Sequence, residues 1–346
     1  MSKTLQPDFF GMKRQPVMVA WGGGVDSTAM IIEMHARGEP IDIVLFADTF
    51  SERPWTYEAV ETFSKWLAER NIPFQRVFYQ AKRFTGALYL GLLENCLSNG
   101  TLPSIAFGFG SCSLKNKVQP QDAFARSWEP AVTAWGEGRK VLKCIGYDCS
   151  PADQKRYAER EGYDDDAKYE FRYPLREWGW SRPDCEARIA EAGLPVVKKS
   201  ACFFCTATKP AELHEYEPEL LRCIVLMEAR AKPRLKSCEG LWRKAVKGVR
   251  GGTPRPGDMT SYIRERGLLP ADEVDYVAAN APDAFISWQE AHADTPIEER
   301  PTVRSWLEFF NQHIDDFRKK DLVSLYEDAP YSTGAVKPSS IIRHAA

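Results

Sequence analysis

Long apolar runs are missing from this sequence, and histidine is scarce. No stretch approaches the roughly 18 to 20 apolar residues of a membrane-spanning helix, so no membrane partner is expected. The five histidines (35, 214, 292, 313 and 344) are scattered and never fall at ligand spacing, which argues against a histidine-based hydrolase. An excess of charge is missing too. The formal net charge is −2, so overall charge predicts no polyanion partner. The opening residues, MSKTLQPDFFGMKRQP, lack the apolar centre of a secretory signal. Nine cysteines (96, 112, 144, 149, 185, 202, 205, 223 and 238) are an odd count, and without an export signal they argue against a disulfide framework. We expect a cytoplasmic protein whose clustered cysteines serve a metal or catalysis. Cys96 and Cys223, in apolar contexts, read as core.

What is present is an alternation of strand and helix signals. Apolar residues make up 44% and charged residues 27%, as in an ordinary globular protein. QPVMVAW (15–21) reads as a buried parallel strand, and STAMIIEMHAR (27–37) has helical spacing with Gly38 as its cap. PIDIVLFAD (40–48) is a second strand, and 54–71 is an amphipathic helix with Pro54 in its first turn. PFQRVFYQ (73–80) and RKVLKCIGYD (139–148) are further strands. This order predicts an α/β fold, a parallel sheet flanked by helices. A mainly helical C-terminal part is expected after it, with the boundary near residue 215. The tail YSTGAVKPSSIIRHAA is expected to be poorly ordered.

The stretch VMVAWGGGVDSTAM (17–30) carries the main chemical signal. In an open parallel sheet, ligands lie beyond the C-terminal strand edge, and Gly22, Gly23 and Gly24 stand there. Bare backbone lets N–H groups approach an anion, and the following helix adds its positive end. Ser27 and Thr28 can donate hydroxyl hydrogens to phosphate oxygens. Asp26 beside phosphates makes sense if it holds Mg²⁺ or a backbone turn. A Walker A loop would need lysine where Asp26 stands.

GGGVDST resembles the S-G-G-x-D-S-T signature of PP-loop ATP pyrophosphatases, with Gly22 in place of the usual serine. VLFADTFSERPWTYEAVETF resembles the F-x-D-T-G-x-x-x-x-x-T segment of the sulfonucleotide (PAPS) reductase branch of that superfamily, with Phe50 in place of the glycine. CIGYDCSPADQKRYA resembles its G-x-R-x-x-x-S-x-x-R region, with Gly146 and Arg156 correctly spaced and Asp148 replacing an arginine. The resemblance implies an adenine-nucleotide α-hydrolase-like (HUP-type) core over residues 10–215, followed by a helical region, 216–346. It implies ATP and Mg²⁺ as ligands, Asp26 and Ser27 as catalytic, and Gly22, Gly23, Gly24, Thr28, Phe46, Asp48, Gly146 and Arg156 as nucleotide contacts.

SACFFCTATKP holds C-x-x-C at Cys202 and Cys205, a spacing that Zn²⁺ and iron–sulfur clusters both accept. A redox dithiol is the rival. GSCSLKNKVQPQ, with Cys112, Lys117 and Pro120, resembles the C-C-x-x-x-K-x-x-P segment that binds a [4Fe–4S] cluster in adenylylsulfate reductases, with Ser113 in place of the second cysteine. The resemblance thus implies Cys112, Cys202 and Cys205 as ligands. Cys185 is our first choice for the fourth, with Cys144, Cys149 or an exogenous ligand as alternatives. The run WGW…C…KSACFFC is similar to uncharacterised, often phage-encoded, members of the reductase-like family.

The E-C-G-x-H tail of true reductases is absent; the last cysteine is Cys238, in KSCEGLWRKA. What remains is ATP chemistry with a metal–thiolate site. ATP would activate an acceptor by adenylation, and sulfur from a donor protein would displace AMP, as in tRNA thiolation and DNA phosphorothioation enzymes. A sulfonucleotide reductase and a non-catalytic nucleotide-binding partner subunit are the alternatives. Between 232 and 255, eight basic residues face one acidic residue, with Trp242 among them. That stretch is a candidate nucleic-acid contact.

Overall fold

Val17, Met18, Val19 and Trp21 are all buried, as a strand covered on both faces requires. The computed structural model describes residues 14–80, 89–158, 166–248 and 254–319. The tail from 331 and Arg250 lie outside the described residues. Five parallel strands form one sheet: β1 (Val17–Trp21), β2 (Ile43–Asp48), β3 (Phe74–Phe78), β4 (Val141–Ile145) and β5 (Tyr169–Arg172). Their order is β3-β2-β1-β4-β5. Val19 pairs with Val44 on one side and with Cys144 on the other. The chain is therefore α/β.

Strand side chains alternate between faces, and the two cores follow that period. Val17, Val19 and Trp21 join Val44, Phe46 and Cys144 in one core, with Ala29, Met30 and Ile31 from the following helix. Met18, Leu45, Ala47, Val77 and Val141 join Ala125 and Ala131 in the other. Burying each such aliphatic side chain stabilises the fold by about 1.5–3 kcal/mol. The helix α1 (Val25–Ala36) begins two residues earlier than the sequence pattern suggests, and α2 (Pro54–Glu69) starts on its proline as expected. α1 packs against the helix Arg182–Glu191.

The chain divides into two compact units, Met1–Tyr79 with Ser113–Cys202, and Gln80–Cys112 with Phe203–Ala346. The sequence suggests one boundary near 215; the chain instead passes from one unit to the other three times. The physical reason is the helix Gly91–Asn99, which packs on Pro218–Ala231 and Val303–Gln312. The second unit is mainly helical, and Phe285, Trp288, Trp306 and Phe310 fill its core.

Glu228 ties this unit together from inside. Its buried carboxylate accepts hydrogen bonds from Leu241 N (2.7 Å), Met259 N (3.0 Å), Thr260 N (2.8 Å) and Thr260 Oγ1 (2.6 Å). Glu228→Ala would strand three backbone donors. We expect a loss of about 2–4 kcal/mol, measured as a fall in the urea unfolding midpoint, with Glu228→Asp intermediate.

Candidate functional site

The sheet order reverses direction between β1 and β4, and a crevice opens beyond the carboxyl ends of such strands. Gly22, Gly23 and Gly24 leave β1 there, and Gly146 leaves β4. Two of these glycines are needed for shape. A Cβ on Gly146 would lie 2.8 Å from Ser27 Cα and 2.9 Å from Ser27 N. The β4 tip therefore rests directly on the first turn of α1. Gly23 has φ +67°, and a Cβ there would meet Thr56 Cγ2 at 3.0 Å. Gly22 differs, because a Cβ on it would meet nothing within 4 Å.

Hydrogen bonds show what each polar residue of the loop does. Gly24 is the N-cap of α1 and offers no side-chain acceptor, which leaves the orphan N–H groups of the first turn open to a ligand. Gly22 N donates to Ser27 Oγ at 3.2 Å. Gly22 thus supplies open space, not a phosphate donor, while the Ser27 hydroxyl keeps its own hydrogen. Thr28 departs from expectation. Its buried hydroxyl donates to Gly24 O (2.7 Å) and accepts from Trp21 Nε1 (2.8 Å). With its one hydrogen committed, Thr28 braces the bend and has none to give a phosphate.

Asp26 sits at the edge of this bend, about a quarter exposed. Arg182 Nη1 stands 3.4 Å from both of its oxygens, and Arg182 Nε donates to Glu186 at 2.9 Å. Burial pushes the Asp26 carboxyl up to about 6, Arg182 opposes the rise, and Asp148 and Asp153 add to it. Asp148 is buried and Asp153 binds Arg156 at 2.9 Å. Arg156 itself is largely exposed. Like charges near a half-buried carboxylate favour either a proton or a cation.

Two expected nucleotide contacts are enclosed. Phe46 is 1% exposed, with its ring 5.7 Å from that of Trp21. Asp48 is buried; it accepts from Arg76 Nε (2.8 Å), Tyr57 Oη (3.0 Å) and Phe50 N (2.8 Å). Asp48 therefore fastens β2 to β3 and to the turn after it. With all these acceptor positions used, it presents no free edge to a nucleoside.

The segment leading to Cys202 lies across the same bend. A Cβ on Gly24 would be 2.6 Å from Ser200 Oγ. Arg53 N donates to Ala201 O (3.1 Å), Trp55 Nε1 donates to Lys199 O (3.1 Å), and Glu52 bridges Cys202. Beneath it, Thr49 Oγ1 donates to Glu52 Oε1 (3.1 Å) and lies 3.3 Å from Cys202 Sγ, and Lys117 pairs with the same carboxylate at 3.1 Å. Thr49, Lys117 and Cys202 are thus brought together. Glu52, Arg182, Ser200 and Asp153 are the residues that sequence reasoning missed. The KKSAC run is the one available signal, and its spacing points to the cysteine alone.

The remaining cysteines have different surroundings. Cys185 is fully buried in the core that Val25, Ala29 and Ile189 share, and burial pushes its thiol up to about 12. The first-choice fourth ligand is thus enclosed among apolar neighbours. Cys144 is buried in the same core, and its thiol is likewise pushed up to about 12. Cys149 is exposed, and Cys112 and Cys205 belong to the second unit. Among the described residues, no group of three or more His, Cys, Asp or Glu side chains converges as a metal ion requires. No described helix is long and apolar enough to cross a membrane. Compared with protein-family models and with curated proteins, the chain matches none.

The Asp26 environment has a measurable sign. Its folded-state value, about 6, exceeds the ordinary 3.8, so the folded chain holds this proton more tightly than the unfolded one. The contribution is full below the ordinary value and is lost as pH rises through about 6. Asp26→Asn in metal-free protein should remove that loss. From pH 4.5 to 7.5 the variant should gain about 1–2 kcal/mol on the parent, allowing for partial exposure, measured by urea unfolding at each pH.

Proposed function

We propose that the chain is a PP-loop ATP pyrophosphatase that cleaves ATP to AMP and pyrophosphate while adenylating an acceptor, for sulfur transfer to a nucleic acid or metabolite. One observation carries this reading: a bend without side chains, open at Gly22, set on the uncapped start of α1 at the point where the sheet reverses. That is the shape a polyphosphate needs. The α/β sheet order suits an adenine-nucleotide α-hydrolase-like core without requiring one.

The residues present fit Mg²⁺. This ion keeps several waters and takes one or two carboxylates plus substrate phosphates, not a closed protein cage. Asp26 supplies such a carboxylate, and the ion would neutralise charge on the leaving pyrophosphate. The chain's own part is positioning. First-turn N–H groups and the Ser27 hydroxyl would hold phosphate oxygens, and Arg182 stands within reach of the same anion. An acceptor oxygen attacks the α phosphorus as the bond to the bridging oxygen breaks, and pyrophosphate leaves with the electron pair. A sulfide-type sulfur from the donor then attacks the activated carbon or phosphorus of the acceptor, and AMP leaves with the electron pair of the broken bond.

A [4Fe–4S] cluster, or zinc, rests on the spacing of Cys202 and Cys205 with Cys112. Among the described residues no such set of thiolates is assembled, and we route no step through it. The reductase alternative needs an attacking thiolate, and Cys238 is shifted the wrong way: burial raises its thiol, against a smaller opposing effect of Arg243.

Incubation with Mg²⁺ and ATP labelled at the α and γ positions, with water standing in for the acceptor, should release AMP and pyrophosphate. Asp26→Asn should cut the rate at least a hundredfold, with Thr28→Ser nearly neutral. Release of ADP and phosphate would overturn the reading; tight ATP binding without turnover would favour the partner-subunit alternative. Anaerobic purification with iron, sulfide and zinc analysis should give about four irons per chain. Colourless, zinc-loaded protein would replace the cluster with a structural metal.

A further inference from the structure

The second unit carries a run of exposed cationic side chains. Lys232, Arg234, Lys236, Arg243, Lys244 and Lys247 are all exposed, and none of them forms an ion pair among the described residues. Glu239 is the only acidic residue between 232 and 248. Its carboxylate accepts from Ala245 N at 3.1 Å, which shapes the turn instead of neutralising a cation. Arg243 occupies this turn with φ +72°, a left-handed conformation that costs a long side chain and is normally left to Gly or Asn.

Trp242 cannot serve as the stacking surface here. It is 3% exposed, its Nε1 donates to Thr208 O at 2.8 Å, and the Arg255 guanidinium covers its ring at 4.6 Å. Another aromatic takes that place. Phe109 is 67% exposed, flanked by Gly108 and Gly110. A Cβ on Gly108 would lie 3.0 Å from Arg243 Nη2. The strained Arg243 turn therefore brings its guanidinium to the residue preceding an open aromatic ring.

We infer that this face of the second unit binds single-stranded nucleic acid, with the exposed lysines and Arg243 on phosphates and Phe109 stacked on an unpaired base. Base faces are available in single strands and hidden in a duplex. The charge matches a polyanion, and an exposed ring next to the Arg243 guanidinium matches a base better than a lipid surface, which calls for a broad apolar face. The inference deepens the proposed function by naming the acceptor class. It rests on that reading only in making the bound strand the acceptor.

The test uses the full chain and fluorescence anisotropy with a labelled 20-nucleotide single strand, the matching duplex, and vesicles of anionic phospholipid. The single strand should bind more tightly than the duplex, and its affinity should fall steeply with salt. Lys244→Ala with Lys247→Ala should flatten the plot of log affinity against log salt by roughly 0.7 per lysine. Phe109→Ala should weaken single-strand binding about tenfold and leave the salt slope unchanged. Phe109→Trp should restore binding, which separates stacking from misfolding. Equal duplex binding with an indifferent Phe109→Ala, or binding to vesicles alone, would overturn the inference. Pyrophosphate release with water as the acceptor, in the absence of nucleic acid, should be the same in all these variants, so failure of the ATP reading and failure of this one are told apart.

Discussion

Two backbones touch at the tip of the sheet, and the candidate site is organised around that contact. Gly146 at the end of β4 lies so close to Ser27 that even a methyl group would collide with backbone atoms. The first turn of α1 is therefore held against the strand where the sheet reverses. Gly23 turns the chain through a left-handed conformation, and the doubly bonded Thr28 hydroxyl locks the bend to Trp21 and Gly24. A site preorganised in this way costs little to order when an anion arrives.

Electrostatics adds a second layer. A carboxylate held half-buried beside two others is uncomfortable without a counter-charge, and Arg182 provides only a distant one, 3.4 Å from each oxygen. The arrangement favours a site that gains from an incoming cation and can spare Arg182 for an incoming anion. The polar cluster of Thr49, Glu52, Lys117 and Cys202 is different in kind. Thr49, Lys117 and Cys202 all meet Glu52 Oε1, while Glu52 Oε2 is buried without a partner among the described residues, and the cluster ties the KKSAC segment over the bend.

Much of the fold was legible because strand and helix periods are local. The apolar runs at 15–21 and 40–48, and the proline at the start of α2, act over a few residues; the structure keeps the proline and trims the runs to strands at 17–21 and 43–48. The glycine loop was legible for the same reason. The uses of Thr28, Phe46 and Asp48 were not. Each depends on a partner distant in space, such as Arg76 for Asp48, and a motif records the residue without the partner. Trp242 failed likewise: it lies in a basic run, yet it packs inward.

By itself the sequence determined four of the five strands and the helices after the first two, where the chain bends without side chains, and where positive charge accumulates; β5 went unread. Only the tertiary structure decided that residues 80–112 join the C-terminal part, that Cys185 packs into a core, and that Asp26 faces Asp148, Asp153 and Arg182. The physical reason is range. Hydrophobic period and backbone sterics act between neighbours along the chain, whereas burial and charge pairing depend on which distant segments meet.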